Sequence, residues 1–243
     1  MNSLVNRKNI AFWFSSIFLI ILYAYVGYTS YGFDDEFFNI FIVEKFSTYE
    51  IFYLDPSLNI NHPNGSIFIN SILFNFLDDW SFVRAFYGVI FALSLLFSFA
   101  CLVNKSENFN QLFFFILMCL NPSLLMIGSS LRWYSLFIIF INFLIILIYK
   151  NTKNPLIFWG TFLILAQILL HTNYLAFIIL PVVFLYTLHK RKDFLYNSRI
   201  EFIYLILFLL LSFIIASPEI NSLLFKLSLD QSNQTSSFLM SII

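Results

Sequence analysis

The chain has 243 residues, 60% of them hydrophobic and only 11% charged, where a soluble domain carries about 25% charged residues. A formal net charge of zero with 13 Lys+Arg excludes a nucleic-acid binder, and two Cys exclude a disulfide scaffold or a Cys-rich zinc domain. What remains is a polytopic membrane protein.

A helix crosses the hydrocarbon core with about 20 apolar residues. Residues 10–28 form the first such run. Arg7 and Lys8 flank it and no A-x-A site follows, so it reads as an uncleaved anchor. The next segment, 29–81, is far longer than a connector needs to be, and such loops usually carry function. Two parts of it are predicted helices. Residues 35–46 begin with acids, as a helix N-terminus prefers. Residues 64–77 follow His62-Pro63 and place Asn70, Ser71 and Asn75 at helical spacing, which suits a helix lying along the membrane surface.

The second span is 82–103, with Arg84 at its start. Residues 112–127 and 133–149 are the third and fourth. The run 155–188 is too long for one pass and splits at His171 into two helices. Residues 202–217 make the last. The expected fold is therefore all-α: one transmembrane helical bundle over 1–243, with about seven spans. Its first outer loop is long and carries juxtamembrane helices.

Lys and Arg in short loops set the orientation. With the N-terminus in the cytoplasm, Arg7, Lys8, Lys105, Lys150, Lys153, Lys190, Arg191, Lys192 and Arg199 fall inside, nine of the 13 basic residues. The candidate polar residues then share the outer surface. Asp34, Asp35 and Glu36 follow the first span, and His62 lies in the same loop. Arg84 opens the second span. Arg132 sits between the third and fourth spans, and His171 and Tyr174 between the fifth and sixth. Charged groups at a membrane edge are costly unless they face a cavity or a partner. Carboxylates can act as a base on a hydroxyl, and Arg can clamp a phosphate through its forked donors. That set suits group transfer from a phosphorylated lipid, and it equally suits an ion or proton site in a transporter. Each residue also has a plainer role available: the acids as a helix start, the arginines as interfacial anchors.

Five short stretches resemble the GT-C glycosyltransferases, in particular the protein O-mannosyltransferase and aminoarabinose-transferase branch and its bacterial relatives. Gly32-Phe33-Asp34-Asp35-Glu36 resembles that branch's Asp-Glu pair at the start of the first outer loop. Asn61-His62-Pro63-Asn64 resembles its His-Pro-Pro stretch, with Asn64 in place of the second Pro. Arg84 followed by Gly88 resembles its Arg and Gly four residues apart. Leu131-Arg132-Trp133-Tyr134 and His171-Thr172-Asn173-Tyr174 resemble Arg-x-Tyr and His-Tyr stretches of the bacterial relatives.

The resemblance implies an inverting sugar transfer from a polyprenyl-phosphate donor to an acceptor hydroxyl of unspecified identity, outside the cytoplasm. Asp35 would be the base, with Glu36 and Asp34 beside it. Arg84 and Arg132 would bind the donor phosphate, and His62, His171 and Tyr174 would line the site. No cofactor is required. A carboxylate pair could hold a divalent ion, although the pattern does not demand one. Members of that branch usually have more spans than this chain. On the resemblance the chain is expected to be truncated, naturally short or dependent on a membrane partner subunit, and an inactive truncated fragment is a further alternative. The abundance of Phe, Ile, Asn and Lys points to an AT-rich bacterial genome, and so to the inner membrane. The alternative reading is a polytopic transporter or lipid flippase.

Overall fold

The structure, a computed structural model, describes residues 2–30, 34–52, 65–102, 109–150, 153–192, 199–212 and 214–215. Side chains are described for 12–30, 36–51, 65–102, 111–150, 153–192, 199–212 and 214–215. His62 lies outside the described residues, as do the side chains of Asp34 and Asp35. Nearly all described residues are helical, and no strand occurs among them.

The chain forms two compact units, Met1–Tyr53 with Gly65–Lys153, and Leu54–Asn64 with Asn154–Ile243. The first holds α1 (Asn2–Thr29), α2 (Asp34–Lys45), α3 (Thr48–Phe52), α4 (Gly65–Leu77), α5 (Trp80–Leu102), α6 (Phe109–Cys119), α7 (Pro122–Gly128) and α8 (Trp133–Lys150). The second holds α9 (Pro155–Thr172), α10 (Ala176–Lys190) and a further helix, α11, at 199–212.

Four of these are long and apolar enough to cross a membrane: Phe12–Thr29 of α1, then α5, α8 and α9. A fifth exists only as a pair, because α6 and α7 meet at a bend of 66°. The single helix expected at 112–127 is thus broken, and Asn121-Pro122 breaks it. Pro122 has no N–H and holds the residue before it extended; Asn121 sits at φ −60°, ψ 125°, and its side chain accepts from the Ser123 N–H. The expected split near His171 is present, since α9 ends at Thr172 and α10 begins at Ala176.

In the first unit, α1 and α5 pack with their backbones nearly touching. A Cβ on Gly27 would come within 2.5 Å of the Arg84 carbonyl oxygen, and one on Gly88 would strike the Tyr23 carbonyl. Without a hydrophobic drive between helices in lipid, small residues that let backbones approach are what hold spans together. Tyr23 and Phe91 stack beneath this crossing, with ring centroids 5.6 Å apart. The Tyr23 hydroxyl donates to the Cys119 carbonyl at the end of α6, 3.0 Å away. Further along, α5 and α8 are joined by polar groups: Asn142 Nδ2 donates to Ser94 Oγ at 3.1 Å, and Ser98 Oγ donates to the Asn142 carbonyl at 3.3 Å.

The short helices α2, α3 and α4 belong to this unit. Here α4 departs from a simple surface helix. Asn70 and Ser71 are buried, while Ile72 and Phe76 are exposed. Asn70 and Ser71 turn inward to partners, with Ser71 Oγ meeting Thr48 Oγ1 of α3 at 2.6 Å, while Asn75 stays exposed and donates from Nδ2 to the same Thr48 oxygen at 2.8 Å. The turn into α5 uses Asp78 in the left-handed region at φ 54°, followed by Asp79, whose Oδ1 accepts from the Ser81 N–H at 2.6 Å. The acid pair therefore ends one helix and caps the next.

The second unit is built on aromatic rings from three helices: Phe158, Trp159 and Phe162 of α9, Phe184 of α10 and Phe208 of α11. A buried ion pair closes the unit at one end, where Arg191 Nε donates to Glu201 Oε1 at 2.6 Å. Trp159 Nε1 donates to the same oxygen at 2.9 Å, and the Arg191 guanidinium lies 3.9 Å over the Phe158 ring.

Candidate functional site

The polar residues of the first outer loop lead to one place. The α2 helix starts on Asp34-Asp35-Glu36, and acids there complement the positive end of the helix dipole. Along α2 the period of 3.6 separates two faces. Glu36, Ile42 and Val43 are buried, whereas Phe37, Phe38 and Phe41 are exposed. Glu36 thus enters the protein interior while Phe37 and Phe38 do not.

Both oxygens of Glu36 are engaged. Oε2 accepts from Arg84 Nε at 3.4 Å, and Oε1 accepts from the Leu131 N–H at 3.1 Å. The side chains are 1% and 10% exposed for Glu36 and Arg84. Arg84 also donates from Nη1 to the Ser30 carbonyl just past α1, at 3.4 Å. Burial pushes the Glu36 carboxyl above its ordinary value, and Arg84 and the Leu131 N–H pull it back only in part.

Leu131 lies in the short connection between α7 and α8. Its carbonyl accepts from Asn70 Nδ2 of α4 at 2.9 Å and from Asn39 Nδ2 of α2 at 3.3 Å. Asn70 Oδ1 in turn accepts from the Tyr87 hydroxyl of α5 at 2.5 Å. Next to it, Arg132 is half-buried, and its Nη1 donates to the Tyr134 hydroxyl at 2.7 Å.

The structure therefore brings together Glu36, Arg84 and the turn that carries Arg132. Asp34 and Asp35 stand in the same first turn as Glu36. His171 and Tyr174 belong to the second unit, at the end of α9 and in the turn before α10, where Tyr174 stacks on Phe177. No group of three metal-ligating side chains occurs among the described residues.

Asn39, Asn70 and Tyr87, which are partners in this site, were not among the expected site residues. The spacing of Asn70, Ser71 and Asn75 was the available signal, since polar residues in an apolar helix need partners when they turn inward. The α3 helix was likewise not expected, although its start carries a local signal. Ser47-Thr48-Tyr49-Glu50 is a capping box: Glu50 Oε2 accepts from the Ser47 N–H at 2.8 Å, and the Glu50 N–H donates to Ser47 Oγ at 3.3 Å.

No family model, curated protein or solved structure matches the chain. The resemblance to GT-C enzymes stands on the short residue patterns alone.

Proposed function

We propose that the protein is an integral membrane glycosyltransferase that takes a sugar from a polyprenyl-phosphate donor. In this reading the chain has about seven spans, with its N-terminus in the cytoplasm and its site facing outward, in a bacterial inner membrane. The acceptor is a hydroxyl on a glycan, lipid or protein.

The observation that carries the reading is that Glu36 joins Arg84 to the Leu131 turn, the turn that carries Arg132, at one junction. Glu36 contacts Arg84, 48 residues away, and Leu131, 95 residues away. Arg132 follows directly. That junction lies at the start of α2, where Asp35 stands in the same turn as Glu36, and a base and an arginine on neighbouring segments suit transfer from a lipid phosphate.

In the proposed step Asp35 takes the proton of the acceptor hydroxyl. The acceptor oxygen forms a bond to the anomeric carbon from the face opposite the phosphate. The bond from that carbon to the phosphate oxygen breaks, and its electron pair leaves with the polyprenyl phosphate. Arg132 balances the charge gathering on that phosphate, through donors suited to it. Glu36 is assigned to holding Arg84 and the Leu131 turn, since both of its oxygens are engaged. The chemistry needs no cofactor.

The test is release of polyprenyl phosphate from a panel of polyprenyl-phosphate sugars, followed by mass spectrometry. Wild type should release it and Asp35→Asn should not. Equal release by Asp35→Asn removes the base assignment.

One observation favours a transporter or flippase instead. Transporters often build their sites from broken helices, and α6 and α7 are such a pair. Coupled flux into liposomes, with no sugar release from any donor, would favour that reading.

A further inference from the structure

We infer that Asn70 and Tyr87 are positioning residues for Arg132, holding the main chain at Leu131 so that the guanidinium meets a lipid phosphate. The inference rests on the role given to Arg132 above. Connections between helices normally lie at the surface, yet Ser129, Ser130 and Leu131 are buried. A buried connection must have its main-chain groups paired. Here three side chains from two other helices, α2 and α4, supply the partners at Leu131. Glu36 takes the N–H, while Asn70 and Asn39 fill both lone pairs of the carbonyl. On the far side Ser135 Oγ donates to the Ser130 carbonyl at 2.7 Å and to the Arg132 carbonyl at 2.9 Å.

The orientation of Asn70 follows from its partners. A carbonyl only accepts, so Nδ2 must face Leu131, which turns Oδ1 to the Tyr87 hydroxyl. Tyr87 is thus a lock on Asn70, and Asn70 a lock on the peptide next to Arg132. Placement of a charged group to within a fraction of an ångström is what such supporting residues contribute. Tyr87→Phe removes one hydroxyl, keeps the ring, and leaves the Asn70 acceptor without its donor.

The experiment uses the full chain in detergent, as wild type, Tyr87→Phe, Asn70→Ala, the double variant and Arg132→Gln. Two quantities are read well below the melting temperature: affinity for a polyprenyl monophosphate, and hydrogen exchange of the segment holding Leu131. Tyr87→Phe should weaken the lipid phosphate about tenfold and speed exchange at Leu131 by a similar factor. Arg132→Gln should weaken affinity at least as much without speeding exchange at Leu131. The double variant should be no weaker than Asn70→Ala alone, because Tyr87 acts through Asn70. A merely structural role would lower the melting temperature and leave affinity unchanged. That result overturns the inference, as does unaltered exchange in Tyr87→Phe or a wild type with no affinity for the lipid phosphate. A wild type that binds the lipid phosphate but transfers no sugar defeats the transferase reading and leaves this one standing.

Discussion

Gly88 of α5 rests directly against the main-chain carbonyl of Tyr23 in α1. Four residues away on each helix the relation is reversed, with Gly27 of α1 against the Arg84 carbonyl. The antiparallel pair is therefore reciprocal, and it sets the position of Arg84. Close approach here brings Arg84 to the Ser30 carbonyl and to Glu36. The spacing of Arg84 and Gly88 thus has a local reason of its own: the glycine seats the helix and the arginine uses the seat.

Gly88→Ala should lower stability by about 1–3 kcal/mol, since the added carbon meets backbone rather than a side chain that can swing away. Gly160→Ala is the control, because a Cβ there meets nothing within 4 Å. It should be neutral or slightly stabilising. Thermal unfolding in one detergent compares the two. Equal losses in both would show that the α1–α5 contact is looser than described.

Glu36 makes stability depend on pH with a definite sign. Its native carboxyl is raised by burial from an ordinary value of 4.5. Between that value and the raised native one, the folded state holds the proton that the unfolded state has lost. Stability from this group is therefore largest at low pH and falls as pH rises through that window. Glu36→Gln should flatten this part of the pH profile, because it removes the titrating carboxyl and keeps a neutral side chain of the same shape. Melting temperatures of both proteins across the acid range check it. An unchanged slope in Glu36→Gln would assign the dependence to another group.

The Arg191–Glu201 pair should be costly to halve and cheap to replace. Glu201→Leu leaves a buried guanidinium and the Trp159 N–H without their acceptor, and should cost about 3–5 kcal/mol. Arg191→Met with Glu201→Leu should recover most of that loss, because methionine and leucine can fill the space against Phe158 and Trp159. A double variant as unstable as the single one would mean that the pair orders the end of the second unit in a way packing cannot replace.

Asp78 adopts φ 54° at the end of α4, where glycine is the usual residue. Asp78→Gly should hold or raise stability, and Asp78→Val should lower it by about 1–2 kcal/mol. Chemical or thermal denaturation in detergent would read the difference. Loss of stability in Asp78→Gly would point to a contact of the carboxylate itself.

Much of the helical layout was legible in the chain, because apolar runs of membrane length and Pro, Asp and Lys at their ends are local signals. The α2 and α4 helices, α5 to within two residues of its expected start at 82, and the α9–α10 break follow from them. The α6–α7 bend was not expected, since hydropathy alone runs straight through 112–127, although Asn121-Pro122 carries a local signal for it. The candidate site was legible only in part. That Glu36, Arg84 and Arg132 belong near one another follows from threading the spans and from short patterns. That Glu36 has both oxygens bound, that α4 turns Asn70 inward, and that Tyr87 reaches Asn70 do not follow from either. Those relations depend on the depth to which Gly27 and Gly88 let α1 and α5 approach and on the angle at which α4 crosses them. Local sequence decides where a helix begins, ends and shows its apolar face. Only packing decides which buried donor meets which acceptor, because each partner must be delivered by a different helix.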